Sequence, residues 1–241
     1  MSRMRAADYI AEYLIREKVP YAFGLCGHGI IGFMDALYDR QDRIRVVGVH
    51  HEQVAGFMAD AYFRVARRPV VTFTSCGPGS TNLVIALAAA MMDGSAFLAI
   101  TGNVPTNQFN RGPFQETHRY YQADFPSVIR PYVKRSYQVT RTDMLPVALR
   151  QAFKTMMVGR PGPVNLDIPL NVFIEELEEE VPDPEQWWWG IDRRPAAGEQ
   201  AVARAAQLLQ QAQRPVILVG GAAALSDCHA ELVCLAERLQ V

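Results

Sequence analysis

The 241-residue sequence predicts an α/β protein: a parallel β-sheet with helices on both faces, followed by the truncated start of a second, Rossmann-like α/β domain. Three observations predict it. Short apolar runs alternate with helix-period segments between residues 21 and 101, and strict alternation builds right-handed βαβ units. Glycine-bearing turns follow the apolar runs at Cys26–Gly29 and Ser75–Gly79, where parallel sheets bind ligands. Hydrophobic residues make up 49% and charged residues 20%, a globular balance that excludes disorder.

Each element follows in order. Residues 4–18 place Met4, Ala7, Tyr9, Ile10 and Leu14 at helical spacing. Tyr21–Leu25 is an apolar run closing in Cys26-Gly27-His28-Gly29, and a helix fits Ile30–Tyr38. Ile44–Val49 is a β-branched run, as buried parallel strands are. It runs into His50-His51-Glu52-Gln53 and a helix to about Arg67. Pro69–Thr74 reads as a strand, Gly79–Met92 as a helix and Ala96–Thr101 as a strand. Asn103–Ala123 is a long polar and aromatic loop, a length that often carries function. Helices fit Pro126–Lys134 and Asp143–Met157, and a Gly/Pro turn at 159–163 leads into the strand Val164–Ile168. Glu175–Arg194 is acidic, with two prolines and a Trp187-Trp188-Trp189 run, and reads as a linker. A helix (Glu199–Ala212), a strand (Pro215–Val219) and a final helix to Val241 open a second unit. One helix–strand–helix cannot bury a core of its own. The expected division is 1–174 for the first domain, 175–196 for the linker and 197–241 for an incomplete second domain.

Charge and cysteine usage narrow the function. Lys plus Arg is 24 and Asp plus Glu is 25, a net charge of -1, so no basic surplus draws in nucleic acid or an anionic membrane. The N-terminus lacks the apolar core of a secretory signal. The most apolar window, Asn82–Met92, is too short for a membrane span. Cys26, Cys76, Cys228 and Cys234 form no C-x-x-C pair, so a disulfide scaffold is not expected and a reducing cytoplasm is. The histidines have no metal-ligand spacing, and no metal ligands are expected in this chain.

Three segments could carry chemistry. Glu52 is a carboxylate placed where an apolar strand meets a helix; an acid at a helix start with no other task is the plain alternative. Ser75-Cys76-Gly77-Pro78-Gly79-Ser80-Thr81-Asn82 lets the backbone approach a ligand, although a strand-to-helix connection explains it equally. It matches neither a P-loop nor G-x-G-x-x-G. Phe114-Gln115-Glu116 could line a pocket from the long loop or simply lie on the surface.

In combination these segments are more specific. His51-Glu52-Gln53, Gly77-Pro78-Gly79-Ser80-Thr81-Asn82, Ile100-Thr101-Gly102, Phe114-Gln115-Glu116, and Gly159-Arg160-Pro161-Gly162-Pro163-Val164 with Asp167-Ile168-Pro169 stand in that order. The array resembles the N-terminal pyrimidine-binding domain of thiamine-diphosphate-dependent enzymes, in the acetolactate synthase-like group, over about residues 3–175. Arg214–Gly221 resembles the first strand of that group's central domain.

The resemblance implies carboligation after decarboxylation of a 2-oxo acid, with thiamine diphosphate as the electron sink. It gives Glu52 the role of the glutamate that shares a proton with N1′ of the aminopyrimidine. Cys26, Gly27 and His28 match a loop against the pyrimidine ring; Ser75, Gly77, Pro78 and Asn82 match the turn beside it. Gln115 matches a glutamine directed to the reacting centre, with Phe114 and Lys134 along the substrate channel. His28 adds a titratable group that could act on substrate. Cys76 stands where serine is more usual in the group. The group binds the diphosphate and Mg2+ through a Gly-Asp-Gly…Asn motif in a C-terminal domain. No Gly-Asp-Gly is present here, so the expectation is half a cofactor site, in a fragment or in one subunit of a split enzyme. Whether FAD sits in the central domain stays open. The alternatives are a 2-oxo acid or oxalyl-CoA type decarboxylase, an aldehyde lyase, or a non-catalytic dimerisation fragment. The group also implies at least a dimer. Asn82–Met92, apolar nearly all round, is expected to be buried on all sides, either against its own copy across a two-fold axis or inside the domain alone.

Overall fold

The first element is a strand and not the start of a helix. In the computed structural model, which describes residues 3–112, 115–116, 124–188 and 196–241, β1 (Arg3–Arg5) precedes helix α1 (Ala6–Arg16). A three-residue strand has no readable period; its partner is what makes it one. The helices and strands that follow are β2 (Tyr21–Gly24), α2 (Ile31–Tyr38), β3 (Arg45–Gly48), α3 (Glu52–Ala66), β4 (Val71–Thr74), α4 (Pro78–Asn82), α5 (Val84–Asp93) and β5 (Leu98–Asn103). Then come α6 (Phe125–Ile129), β6 (Arg135–Gln138), α7 (Leu145–Met157), β7 (Val164–Pro169), α8 (Leu170–Ile174), β8 (Glu176–Glu178) and α9 (Glu185–Trp188).

Six of the strands form one parallel sheet in the order β3-β2-β4-β5-β7-β6. The central strands β4, β5 and β7 are buried along their whole length, as expected of a parallel sheet covered by helices on both faces. On one face α1 and α2 pack with α8, where Phe33 and Phe173 stack with centroids 6.1 Å apart. On the other, α3 meets α5 so closely that a Cβ on Gly56 would lie 2.4 Å from that of Ala86.

Four further expectations change. β6 (Arg135–Gln138) begins directly after the segment read as the helix Pro126–Lys134, and that segment is a short helix followed by a 3-10 turn (Arg130–Tyr132). Its sequence Arg-Ser-Tyr-Gln is polar because it is an edge strand, paired only with β7. The acidic stretch read as linker begins with β8, which pairs antiparallel with β1: Arg3 opposes Glu178, Leu177 is buried opposite Met4, and Arg3 ion-pairs with Glu176. The acids are the outer face of a two-stranded ribbon, which composition alone does not separate from a linker. The apolar helix Gly79–Met92 is interrupted at Leu83, and α5 turns Ile85 (60% exposed) and Met92 (75%) outward while Ala86, Leu87 and Ala90 are buried. It is therefore not buried on all sides within this chain.

The fourth change is in the second compact unit, Asp192–Val241, the first being Met1–Ile191. It contains α10 (Glu199–Gln211), α11 (Gly221–Leu225) and α12 (His229–Leu239). Pro215–Val219 is not a strand; Val216 is 88% and Leu218 96% exposed, with no neighbouring strand among the described residues of the unit to bond it. Residues 189–195, including Trp189, lie outside the described residues.

Candidate active site

The strand order creates the site. β2 is followed by β3 on one side of it, whereas β4, its other neighbour, is followed by β5 in the opposite direction. At such a switch point the connections diverge and leave a crevice at the carboxyl ends of the strands. Cys26–Gly29 leaves β2 into that crevice and Ser75–Gly77 leaves β4 beside it. Gly29 N donates to Ser75 Oγ at 3.1 Å, tying the two loops together.

β3 delivers the acid. Its chain continues through His50 and His51 to Glu52, the first residue of α3. His51 caps that helix: Gln53 N donates to His51 Nδ1 at 3.2 Å, satisfying one of the backbone donors a helix start leaves open. Glu52 is only 6% exposed. Asn82, the last residue of α4, donates Nδ2 to Glu52 Oε2 at 3.0 Å. Above the other oxygen lies Gly79, where a Cβ would come within 3.0 Å of Oε1. The missing side chain leaves the carboxylate a shallow cradle.

The turn that holds these groups is cross-braced. Ser80 Oγ donates to Ser75 O at 2.6 Å, and Thr81 Oγ1 donates to Gly77 O at 2.9 Å. Gly77 has φ +62, in the left-handed region that favours glycine. The long loop returns here: a Cβ on Gly77 would sit 2.7 Å from Gln115 O, and Cys76 Sγ donates to Gln115 Oε1 at 3.2 Å. Glu116 turns away to accept from Asn110 N at 3.1 Å. Cys26 and His28 are exposed at the mouth, with Gly27 against Ser75. Phe114 lies outside the described residues.

Lys134 is not brought to this place. It precedes β6, at the amino-terminal end of the sheet, and its Nζ donates to Val158 O at 2.7 Å and Arg160 O at 2.9 Å. It caps carbonyls after α7; the resemblance set Lys134 by the substrate channel, and the reading of 126–134 as a helix gave no sign of the strand that follows it.

Two features were missed. One is the contact of Cys76 with Gln115. The other is Asp167 on β7, wholly buried. Thr101 Oγ1 donates to its Oδ1 at 2.9 Å, and Asn103 Nδ2 and Gln138 Nε2 donate to its Oδ2 at 2.7 and 3.1 Å. Burial pushes its pKa up to about 7 although all three hydrogen bonds pull it down. Asn103 in turn accepts from Val104 N at 2.8 Å, at the start of the loop that carries Gln115. The signal was available: an acid inside the apolar run Val164–Ile168 needs partners.

Residues 4–123 match the family described as thiamine pyrophosphate enzyme, N-terminal TPP binding domain, and residues 202–241 match the thiamine pyrophosphate enzyme central domain. The chain belongs to the thiamine pyrophosphate enzyme family. Among curated relatives of this family member, a probable acetolactate synthase large subunit of Methanocaldococcus jannaschii is 34% identical over 240 residues, covering 99% of this chain and 39% of that protein. The acetolactate synthase large subunit of Corynebacterium glutamicum is 36% identical over 240 residues, covering 98% and 36%. Glyoxylate carboligase of Escherichia coli O157:H7 is 33% identical over 242 residues, covering 100% and 39%. The chain thus spans less than half the length of these relatives.

The donor set fits one end of thiamine pyrophosphate. Cys26, Gly27, His28, Glu52, Ser75, Gly77, Pro78, Asn82 and Gln115 offer a carboxylate, amides, a hydroxyl, close backbone and the Gly79 cradle, and no lysine or arginine stands among them. That suits a flat polar heterocycle and not a diphosphate. No cluster of three His, Cys, Asp or Glu side chains able to hold a metal occurs among the described residues.

Proposed function

We propose that this chain supplies the pyrimidine half of the cofactor site in a thiamine-pyrophosphate-dependent carboligase of the acetolactate synthase type. The observation that carries the reading is Glu52: a carboxylate 6% exposed, held by Asn82 under the Gly79 cradle at a topological switch point. When bound, the thiazolium ring would supply the electron sink for CO2 loss from a 2-oxo acid and give the electron pair back in attack on a second carbonyl. Glu52 holds a proton at N1′ of the aminopyrimidine and takes it back. Asn82 fixes the carboxylate so that one oxygen stays aimed at the ring. Gly77, Pro78 and Ser75 with the Cys26–His28 loop form the walls, and Gln115 directs its side chain to the reacting carbonyl. The similarity to both acetolactate synthase and glyoxylate carboligase names supports a 2-oxo acid donor as the substrate class.

The diphosphate and Mg2+ are assigned to oxygen ligands elsewhere in the protein, and the working unit to at least a dimer. Cys26, Cys76, Cys228 and Cys234 are all free thiols and no helix among the described residues is long and apolar enough to cross a membrane; a cytoplasmic location belongs to the same reading. The test is turnover of the full-length protein with thiamine pyrophosphate, Mg2+ and a panel of 2-oxo acids, reading CO2 and coupled product separately. Glu52→Gln is nearly isosteric but cannot exchange the proton, and should lower kcat by about 10²–10⁴-fold. A Gln variant with undiminished turnover sinks the assignment of Glu52.

A further inference from the structure

Gln115 is held in an unusual way for a loop residue. Its backbone lies in the left-handed region, φ +70, which costs a side-chain-bearing residue free energy. It keeps that conformation against the Gly77 backbone, where no Cβ intervenes. Its side-chain carbonyl accepts a hydrogen bond from Cys76 Sγ at 3.2 Å. Cys76 is itself 4% exposed, packed with Val104 and Phe109, and burial pushes its thiol pKa up, so it is a protonated donor. A Cβ on Gly29 would come 3.2 Å from Cys76 Sγ, so the thiol also abuts the loop after β2. Three loops from three parts of the chain therefore converge on one sulfur.

We infer that Cys76 is a positioning residue: its thiol orients the Gln115 amide by occupying Oε1, leaving the NH2 end as the group that can donate into the crevice. The thiol touches no reacting atom; it acts through Gln115. The inference deepens the proposed function, since it names what sets the geometry of that site. Its distinguishing property is that a donor, and not volume, is required at position 76. Serine keeps a donor and alanine does not.

The experiment uses the full-length protein and two independent readouts. In the first, free thiols are labelled with iodoacetamide and the Cys76 peptide is followed by mass spectrometry in wild type and Gln115→Ala. Removal of the capping amide should speed Cys76 labelling by about ten-fold, while Cys228 is unchanged. Equal Cys76 rates overturn the contact whatever the enzyme's reaction. In the second, kcat is measured for Cys76→Ala, Cys76→Ser, Gln115→Ala and Cys76→Ala/Gln115→Ala. Cys76→Ala should lower kcat by roughly 10- to 100-fold with KM for the cofactor unchanged. Cys76→Ser should restore most of it, and the double variant should be no worse than Gln115→Ala alone. Additive losses, or a serine variant as poor as alanine, overturn the positioning role. Absence of any turnover in wild type would refute the proposed function and leave the labelling result to decide on the clamp.

Discussion

At the scale of single residues, the buried acids divide into two kinds. Glu52 is buried at a helix start and accepts from the amide of Asn82, and the proposed function sets the pyrimidine ring against it. Asp167 is buried inside the sheet with three donors, and ties the ends of β5, β6 and β7 together. Its ionisation predicts a pH dependence. The folded protein holds the Asp167 proton up to about pH 7, against 3.8 for the free side chain, with the charge of Asp124 adding to the burial. Between those values the folded state binds more protons than the unfolded chain, so stability falls as pH rises through that window and levels off above it. One group can contribute a slope of at most about 1.4 kcal/mol per pH unit. Asp167→Asn should flatten the difference between denaturant midpoints at pH 5 and pH 7.5. Identical pH slopes in wild type and variant would show that Asp167 does not titrate there. Asp167 was legible as an anomaly, an acid in a strand-like run; its partners were not, because Thr101, Asn103 and Gln138 come from two other strands.

Elements were legible where their pattern was long and apolar. The central strands and α3 announce themselves because a parallel sheet buries both faces and a helix buries one stripe. β1, β6 and β8 did not, since each is short, polar and defined by its neighbour. The case of Lys134 shows the consequence for a site. The family resemblance set it along the substrate channel, yet β6 begins after it and places it at the opposite end of the sheet from Glu52. Its two hydrogen bonds to Val158 O and Arg160 O brace the α7–β7 turn. Hydrogen bonds from a charged donor are worth about 1.5–3 kcal/mol when buried, and partial exposure reduces that here. Lys134→Met should therefore cost about 1 kcal/mol in a urea titration and leave kcat within two-fold, roughly, of wild type. A large kcat loss without destabilisation would return Lys134 to the chemistry.

For the whole molecule, the exposed apolar side chains of α3 and α5, two helices in contact, bear on assembly. Val54 and Phe57 on α3 and Ile85 and Met92 on α5 are 47%, 40%, 60% and 75% exposed. Exposed apolar side chains favour a protein contact where they gather on one face, and the proposed dimer requires a face that a second copy can meet with its own. Ile85→Glu in the full-length protein should shift sedimentation toward a smaller species, because a charge buried in such a contact has no partner. An unchanged sedimentation coefficient at micromolar concentration would exclude this face as the interface.

By itself the sequence determined the alternation of strands and helices, the parallel sheet, and the identity of the groups at the strand ends, because hydrophobic period and glycine turns are local properties. The ordered motifs from His51 to Pro169 also carried the family. Tertiary structure alone decided which ends meet. Strand order set the switch point between β2 and β4, brought Asn82 to Glu52 and Cys76 to Gln115, and sent Lys134 away. Those contacts join residues far apart in the chain, and their selection depends on the packing of the whole sheet, which no local pattern encodes.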